Sequence, residues 1–503
     1  MANEQRPNIL LIITDHHAYY GHYGERDGFS YRWPRWEQFC GEGTKFNRAY
    51  SVCPICTPAR ASMMTGEYPS RHGMVRNTEV RRHDSIIDFR QGQRLYSHHL
   101  SGQGYRNAYI GKWHCGHERL PEDYGIEGWS LPDYGKVYMS DAYERYAAER
   151  GCGPARARME WNLNHPEWAG QTLTLHHESP WRFMNGSGVM EGPPAAHEEQ
   201  FVANLSIDKL NELVTQSRDT GQPWSLVASF WGPHQAYYPT EPFAGMVDPA
   251  TIPEYPSFLD DLAGRPFRHY AWREFRHTGS RAWTDWATWQ EVLARAYEQG
   301  LQTDAAIGDL LDALEASGTA EDTIVLWCAD HGDAIASHGG LWDKGSSFAE
   351  EVARVPMAVR WPAKVAGGRE IDELVSNMDV TATMLDAAGV SPPGRMASRS
   401  LLPLCEGNAD WSDELICEHN GHGDDILQRI IIHDRYKYVA ALYDGDELYD
   451  LVDDPYEMKN LVDDPEHRDV KDGLRQRIIA HIECADDKRA SRPEISEDFV
   501  AKA

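Results

Sequence analysis

The chain has 503 residues, 41% of them hydrophobic, enough to bury a large core in one big α/β domain or in two to three smaller units. Its 49 basic and 78 acidic side chains leave a formal charge of −29, which excludes the broad basic surface that holds nucleic acid and is compatible only with a local basic pocket. The first apolar run, residues 9–13 with Glu4 and Arg6 before it, is too short for a signal core or a membrane span, so a cytoplasmic protein without a membrane segment is expected.

The predicted elements follow in chain order. NILLIITD (8–15), NAYIGKWH (107–114), WSLVASFWGPH (224–234) and TIVLWCADHGD (323–333) are apolar runs that end on polar residues. They read as buried strands of a largely parallel sheet covered on both faces. Residues 115–200, rich in Gly, Pro, Trp and His with weak periodicity, predict long loops and short helices over the site. From 286 to 317, Val292, Leu293, Tyr297, Leu301, Ile307, Leu310 and Leu314 recur at helical spacing until Gly318 ends the run. After about 400, RIIIHDRYKYVAAL and DELYDL predict a small antiparallel sheet, followed by a helix near 467–484. The expected fold is therefore α/β, a large mostly parallel sheet flanked by helices over 1–400, with a smaller C-terminal α+β subdomain over 401–503. Ligands gather at the carboxyl ends of the strands in such sheets, where the Asp, Lys and His residues of these runs fall.

SVCPICTPARASMMTG (51–66) carries two competing readings. Cys53 and Cys56 form a C-x-x-C pair, which suits a redox site or half a zinc site. No second such pair exists for zinc, and a redox pair opens a helix, whereas this one sits in a Pro-rich stretch. The nine cysteines are odd in number and sparse, as in a reducing compartment.

The second reading takes in more residues. CTPARASMMTG resembles the sulfatase signature C-x-P-x-R-x-x-x-[LM]-T-G, and most of the chain is similar to the sulfatase branch of the alkaline-phosphatase superfamily. The similarity runs through PNILLIITD, GYRNAYIGKWH, the PH of WGPH, TIVLWCADHGD, SHGGLWDKG, EEVARVPMAVRWP and ELYDLVDDPYEMKNL. The resemblance implies hydrolysis of sulfate monoesters by a formylglycine that a formylglycine-generating enzyme or an anaerobic maturase makes from Cys56. A sulfate ester is an anion with a poor leaving group, so catalysis needs charge neutralisation and a proton donor. A hydrated aldehyde has two hydroxyls on one carbon, one to attack sulfur and one whose deprotonation expels sulfate, which a plain Ser or Cys cannot do.

By the same resemblance, Arg60, Lys112 and Lys344 hold the diol and the sulfate oxygens, and His114 removes the proton that releases sulfate. His234, with Lys344, protonates the leaving oxygen, and Asn77 lines the pocket. The implied metal ligands are Asp15, His16, Cys56, Asp330 and His331, around one divalent ion. Ca²⁺ is favoured, but His16 stands where the family has Asp or Gln, and two nitrogen donors tilt the set toward Mn²⁺ or Zn²⁺. The substrate is a small-molecule or saccharide sulfate ester, and the oligomeric state is left open. The runner-up is a formylglycine-dependent phosphonate monoester or phosphodiester hydrolase, which typically lacks the Lys112/His114 pair. The Trp-rich stretches 181–186 and 270–289 suit either stacking on a substrate or core packing.

Overall fold

The four apolar runs form the middle of an eight-stranded sheet in a computed structural model, which describes residues 6–490 apart from 20–23, 27–28, 82–83, 177–182, 270, 273–284, 395, 408–409, 423, 443, 486 and 488. Its strands are β1 (Asn8–Asp15), β2 (Thr44–Phe46), β3 (Arg106–Lys112), β4 (Glu127–Leu131), β5 (Trp224–Pro233), β6 (Thr323–Ala329), β7 (Met357–Arg360) and β8 (Arg369–Ile371). They lie in the order β8-β2-β7-β6-β1-β5-β3-β4. β1 pairs in parallel with β5 and β6, β5 with β3, and β3 with β4, so five neighbours point one way, while β7 runs against both of its neighbours.

Successive side chains of a strand point to opposite faces, and both faces here are apolar. Leu10 and Ile12 enter one core with residues of α2 (Glu198–Thr220) and α3 (Trp286–Ala316). Ile9, Leu11 and Ile13 enter the other, with residues of α1 (Cys56–Thr65) and α4 (Asp379–Ala387). Each such buried aliphatic side chain contributes about 1.5–3 kcal/mol. The α3 helix ends within a residue of the expected limit, because Gly318 takes a left-handed φ of 68°.

The C-terminal antiparallel sheet, β9 (Glu414–His419), β10 (Leu427–His433), β11 (Tyr436–Leu442) and β12 (Glu447–Asp450), is covered by α5 (Arg468–Cys484). Strand β9 was not among the predicted elements. Both of its faces are covered, so ELICEH shows no alternation.

Residues 115–200 depart further from expectation. They contain a three-stranded antiparallel sheet with Arg156–Asn162 between Thr172–Thr174 and Gly186–Glu191. RARMEWN does alternate, with Ala157 and Met159 buried between exposed Arg156 and Arg158, but small Ala157 hides the signal. Of the two Trp-rich stretches, 181–182, 270 and 273–284 lie outside the described residues.

A buried ion network ties the C-terminal sheet to the segment between β6 and β7. His338 Nε2 lies 3.1 Å from Glu351 and its Nδ1 lies 3.3 Å from Asp260, with Glu457 nearby. Lys437 on β11 donates to Glu350 (3.1 Å) and pairs with Glu457. Burial and Arg265 lower the His338 pKa, but Glu351 and Asp260 outweigh them and raise it. A raised imidazole contributes stability below its unfolded pKa of about 6.5 and loses it as pH climbs through the higher folded value. The urea midpoint should therefore fall across this window, and His338→Gln should flatten that slope; identical slopes would show that His338 is not the titrating group.

Candidate active site

Thr14 of β1 pairs with Ala329 of β6, so Asp15 and Asp330 emerge side by side at the carboxyl ends of adjacent strands. Asp330 Oδ1 accepts the backbone N–H groups of His16 (3.1 Å) and His331 (2.8 Å). Ligand atoms of Asp15, Cys56, Asp330 and His331, all buried, lie within 4.8 Å of one another, and Cys56 Sγ is 3.1 Å from His331 Nε2.

Cys56 does not sit in a Pro-rich loop, as expected, but opens α1. Pro58 is tolerated in a first helical turn, where the N–H it lacks would have no partner. Burial alone would raise the Cys56 thiol, yet Lys344 and Lys112 pull it well below the ordinary range. Burial and Glu418 push Cys53 up instead. Opening a helix is a condition of a redox pair that Cys56 meets, but Cys53, with its thiol pushed up, stands outside the donor cluster, which gathers Cys56 with Asp15, Asp330 and His331 instead.

Three cations converge on the donors. Lys112 pairs with Asp15, and its Nζ lies 4.1 Å from the centre of the Tyr134 ring. Arg60 Nε donates to Asp330 (2.7 Å), while its Nη1 donates to the Lys112 carbonyl (2.9 Å) and Ser229 Oγ (2.7 Å). Lys344 Nζ lies 3.3 Å from Asp343 and 3.5 Å from His234 Nε2. Burial opposes the charge on Lys344, but Asp343 and Cys56 raise its pKa.

His16 is the member of the expected ligand set that does not join the four-donor cluster. Its φ of 63° aims the ring at Asp333 (3.5 Å) and Asp343 (3.7 Å), outside the four-donor cluster, with ring centres 4.3 Å from His234 and 4.8 Å from His331. Burial, Lys344 and His234 push its pKa well down. Asn77 does not simply line a pocket: its Oδ1 accepts the Thr57 N–H at 3.0 Å and caps α1 beneath Cys56. Thr57 Oγ1 in turn donates to the His114 carbonyl (2.7 Å).

Two contributors escaped the sequence reading. Glu79 meets His114 Nε2 with both oxygens (3.0 and 3.1 Å) and accepts the Tyr134 N–H at 2.8 Å. Burial would raise Glu79, but His114 brings it down to about 2. Conversely, burial lowers His114, and Glu79 with Cys56 raises it. Asn377 donates to the carbonyls of Asp330 (2.7 Å) and Ala329 (3.2 Å) and accepts the Val52 N–H (3.2 Å), fastening β6 to the loop that leads into Cys56. A lone Glu among charges and a lone Asn carry no periodic signal. Glu79→Ala should lower kcat by about tenfold to a hundredfold with little change in KM, since it frees the His114 ring; steady-state kinetics showing a pure KM effect would refute this.

A divalent ion fits these residues. Asp15 Oδ1 is buried with no hydrogen-bond partner among the described residues, and burial together with the Asp15 charge raises the pKa of Asp330. A cation between two such carboxylates relieves both conditions, and the donor set mixes hard oxygens with one imidazole.

A nucleophile position at a helix start, clustered acidic donors and convergent cations on an open sheet define a hydrolase of anionic esters. The Sulfatase family matches residues 7–390, and a family described as N-sulphoglucosamine sulphohydrolase, C-terminal, matches 337–483. The chain belongs to the sulfatase family, whose members are sulfuric ester hydrolases. It is 28% identical to the choline-sulfatase of Rhizobium meliloti over 92% of this chain and 83% of that one. In fold it resembles a protein solved with its substrate D-glucosamine-2-N,6-O-disulfate (TM-score 0.72, 21% identity, 96% of this chain and 98% of that one). It also resembles the phosphonate monoester hydrolase of Agrobacterium radiobacter (TM-score 0.73, 21% identity, 94% and 95%).

Proposed function

We propose that the chain hydrolyses the sulfate monoester of a saccharide at a centre built on Cys56, Asp15, Asp330 and His331, in the reducing cytoplasm that nine free thiols favour. The observation that carries this reading is the Cys56 side chain, within reach of three metal-type donors and under the charge of Lys112 and Lys344. When present, formylglycine at this position supplies a hydrated aldehyde as nucleophile, and the metal supplies charge neutralisation.

The chain's own residues do the rest. Lys112 and Lys344 bring positive charge to the place where the sulfate oxygens gather charge. His234 Nδ1 donates to the Gln235 carbonyl (2.6 Å), so Nε2 accepts from Lys344 (3.5 Å), and the Lys344–His234 pair is the source of the proton for the leaving oxygen. Glu79 engages His114 Nε2, and the ring's hydrogen bond with Cys56 puts its other nitrogen beside residue 56 to act as the base. Arg60 braces Asp330, and Asn77 with Thr57 sets the start of α1. With His16 turned away, one nitrogen donor remains in the set, which favours Ca²⁺ over Mn²⁺ or Zn²⁺. Cys56 is 1% exposed, so a maturase must reach it before the fold closes.

Aryl sulfate and aryl phosphonate esters with matched leaving groups test the reading. Sulfate is expected to give the higher kcat/KM, because Lys112 and His114 are both in place. The opposite ranking would transfer the assignment to a phosphonate monoester hydrolase.

A further inference from the structure

Strand β5 hands His234 over to an irregular segment, residues 234–240, that is buried throughout. Its backbone polar groups cannot reach water and need partners inside the protein. On one side the partner is the strand Gly186–Glu191: the Tyr237 N–H donates to the Gly186 carbonyl (3.0 Å), and the Tyr237 carbonyl accepts the Gly188 N–H (2.9 Å). On the other side it is α3. Gln299 bridges the stretch 234–238, its Nε2 donating to the His234 carbonyl (3.0 Å) and its Oε1 accepting the Tyr238 N–H (2.8 Å). One helical turn further, Gln302 Oε1 accepts the Thr240 N–H at 2.9 Å.

Gln299 and Gln302 are polar residues inside a helix packed into the core, 2% and 1% exposed. A buried amide without partners costs about 1–3 kcal/mol, so Gln299 is stable there through the backbone it holds. That backbone includes the group that sets His234. The Gln235 carbonyl, between the two anchor points, accepts from His234 Nδ1 (2.6 Å), which leaves Nε2 as an acceptor facing Lys344 Nζ (3.5 Å). The rings of Tyr134 and His16, with centres 5.3 and 4.3 Å away, confine the imidazole sterically, whereas the backbone sets the position of its proton. Should the Gln235 carbonyl leave Nδ1, that proton is free to move to Nε2, and two donors would then face each other where the Lys344 proton is held.

We propose that Gln299 is a positioning residue for protonation of the leaving group: by holding residues 234 and 238 it keeps the Gln235 carbonyl on His234 Nδ1 and the Lys344–His234 pair in register. This inference rests on the sulfatase reading of the centre and adds to it a residue of α3 that acts through the backbone of His234. A merely structural Gln299 would weaken the fold and slow all esters alike. A positioning Gln299 acts on one step, in which the proton passes from the pair to the ester oxygen as the S–O bond breaks and the sulfuryl group passes to the nucleophile. The need for that proton grows with the basicity of the departing oxygen.

Two aryl sulfates of similar shape test the assignment, 4-nitrophenyl sulfate and 4-methoxyphenyl sulfate, whose phenoxide is the more basic. In matured enzyme, Gln299→Met keeps the length of the side chain and loses both hydrogen bonds. Its kcat/KM for the methoxyphenyl ester should fall about tenfold further than for the nitrophenyl ester. Gln302→Met, which frees the same segment beyond Tyr238, should leave the ratio of the two esters at its parent value. Gln299→Asn, one methylene short of reaching both anchor points, repeats the comparison should the methionine variant not fold. Equal losses on the two esters in the Gln299 variants, or the same change of ratio in Gln302→Met, would overturn the proposal. Failure of the parent enzyme to hydrolyse either sulfate would end the sulfatase reading, and the same pair of leaving groups on aryl phosphonates would then decide the role of Gln299.

Discussion

Cys56→Ala should reduce turnover of an aryl sulfate by roughly 10⁴-fold or more, since removal of a covalent nucleophile typically leaves only the contribution of binding and charge. The fold should survive. The side chain is 1% exposed and small, and its loss costs about 1 kcal/mol of packing. Lys344 loses a neighbour that favoured its charge but keeps Asp343, and Lys112 keeps Asp15. Far-UV circular dichroism and the thermal midpoint, recorded beside kcat, separate lost chemistry from lost structure. Wild-type turnover in the alanine variant, or in protein whose residue 56 is shown by peptide mass spectrometry to remain a plain thiol, would remove the centre from consideration.

Asp15→Asn should have an effect almost as large, through two routes. It removes one oxygen donor from a cluster of four, so bound divalent metal, measured by plasma mass spectrometry, should fall below one equivalent and kcat should fall by at least about a hundredfold. It also leaves Lys112, fully buried, without its ion-pair partner. Breaking a buried pair from one side costs about 3–5 kcal/mol. Burial would raise the Asp15 carboxyl, but Lys112 holds it well below the usual carboxylate range. The stability it contributes is present above the unfolded pKa of about 4 and is lost as pH falls through the depressed folded value, so wild type and variant should converge only in strong acid. Full metal occupancy in Asp15→Asn would move the metal away from the end of β1.

Much of the frame was legible because its causes are local. Strand β1 ends on Asp15 because an unbroken apolar run needs burial on both faces, and a carboxylate ends that need. The α3 helix stops at Gly318 because a left-handed residue there suits glycine. CTPAR shows in the sequence because a reactive residue, a first-turn proline and a helix-borne arginine lie within five positions.

The rest depended on distances along the chain that no local pattern spans. Glu79 reaches His114 across 35 positions, and Asn377 ties the Val52 backbone to β6 across 325. His16 has the identity and neighbours of a ligand, yet a left-handed backbone turn swings its ring to Asp333 and Asp343. Asn420 carries no local signal, yet where β9 docks beside Val52 its amide is buried without a hydrogen-bond partner among the described residues. By itself the sequence determined the succession of buried strands and helices, since periodicity encodes what each segment buries, and its short motifs brought Cys56 and the Lys and Arg residues forward as candidates. Only the tertiary structure decided which polar atoms share the centre, because a buried carboxylate, imidazole or amide takes its role from the partner that packing brings to it.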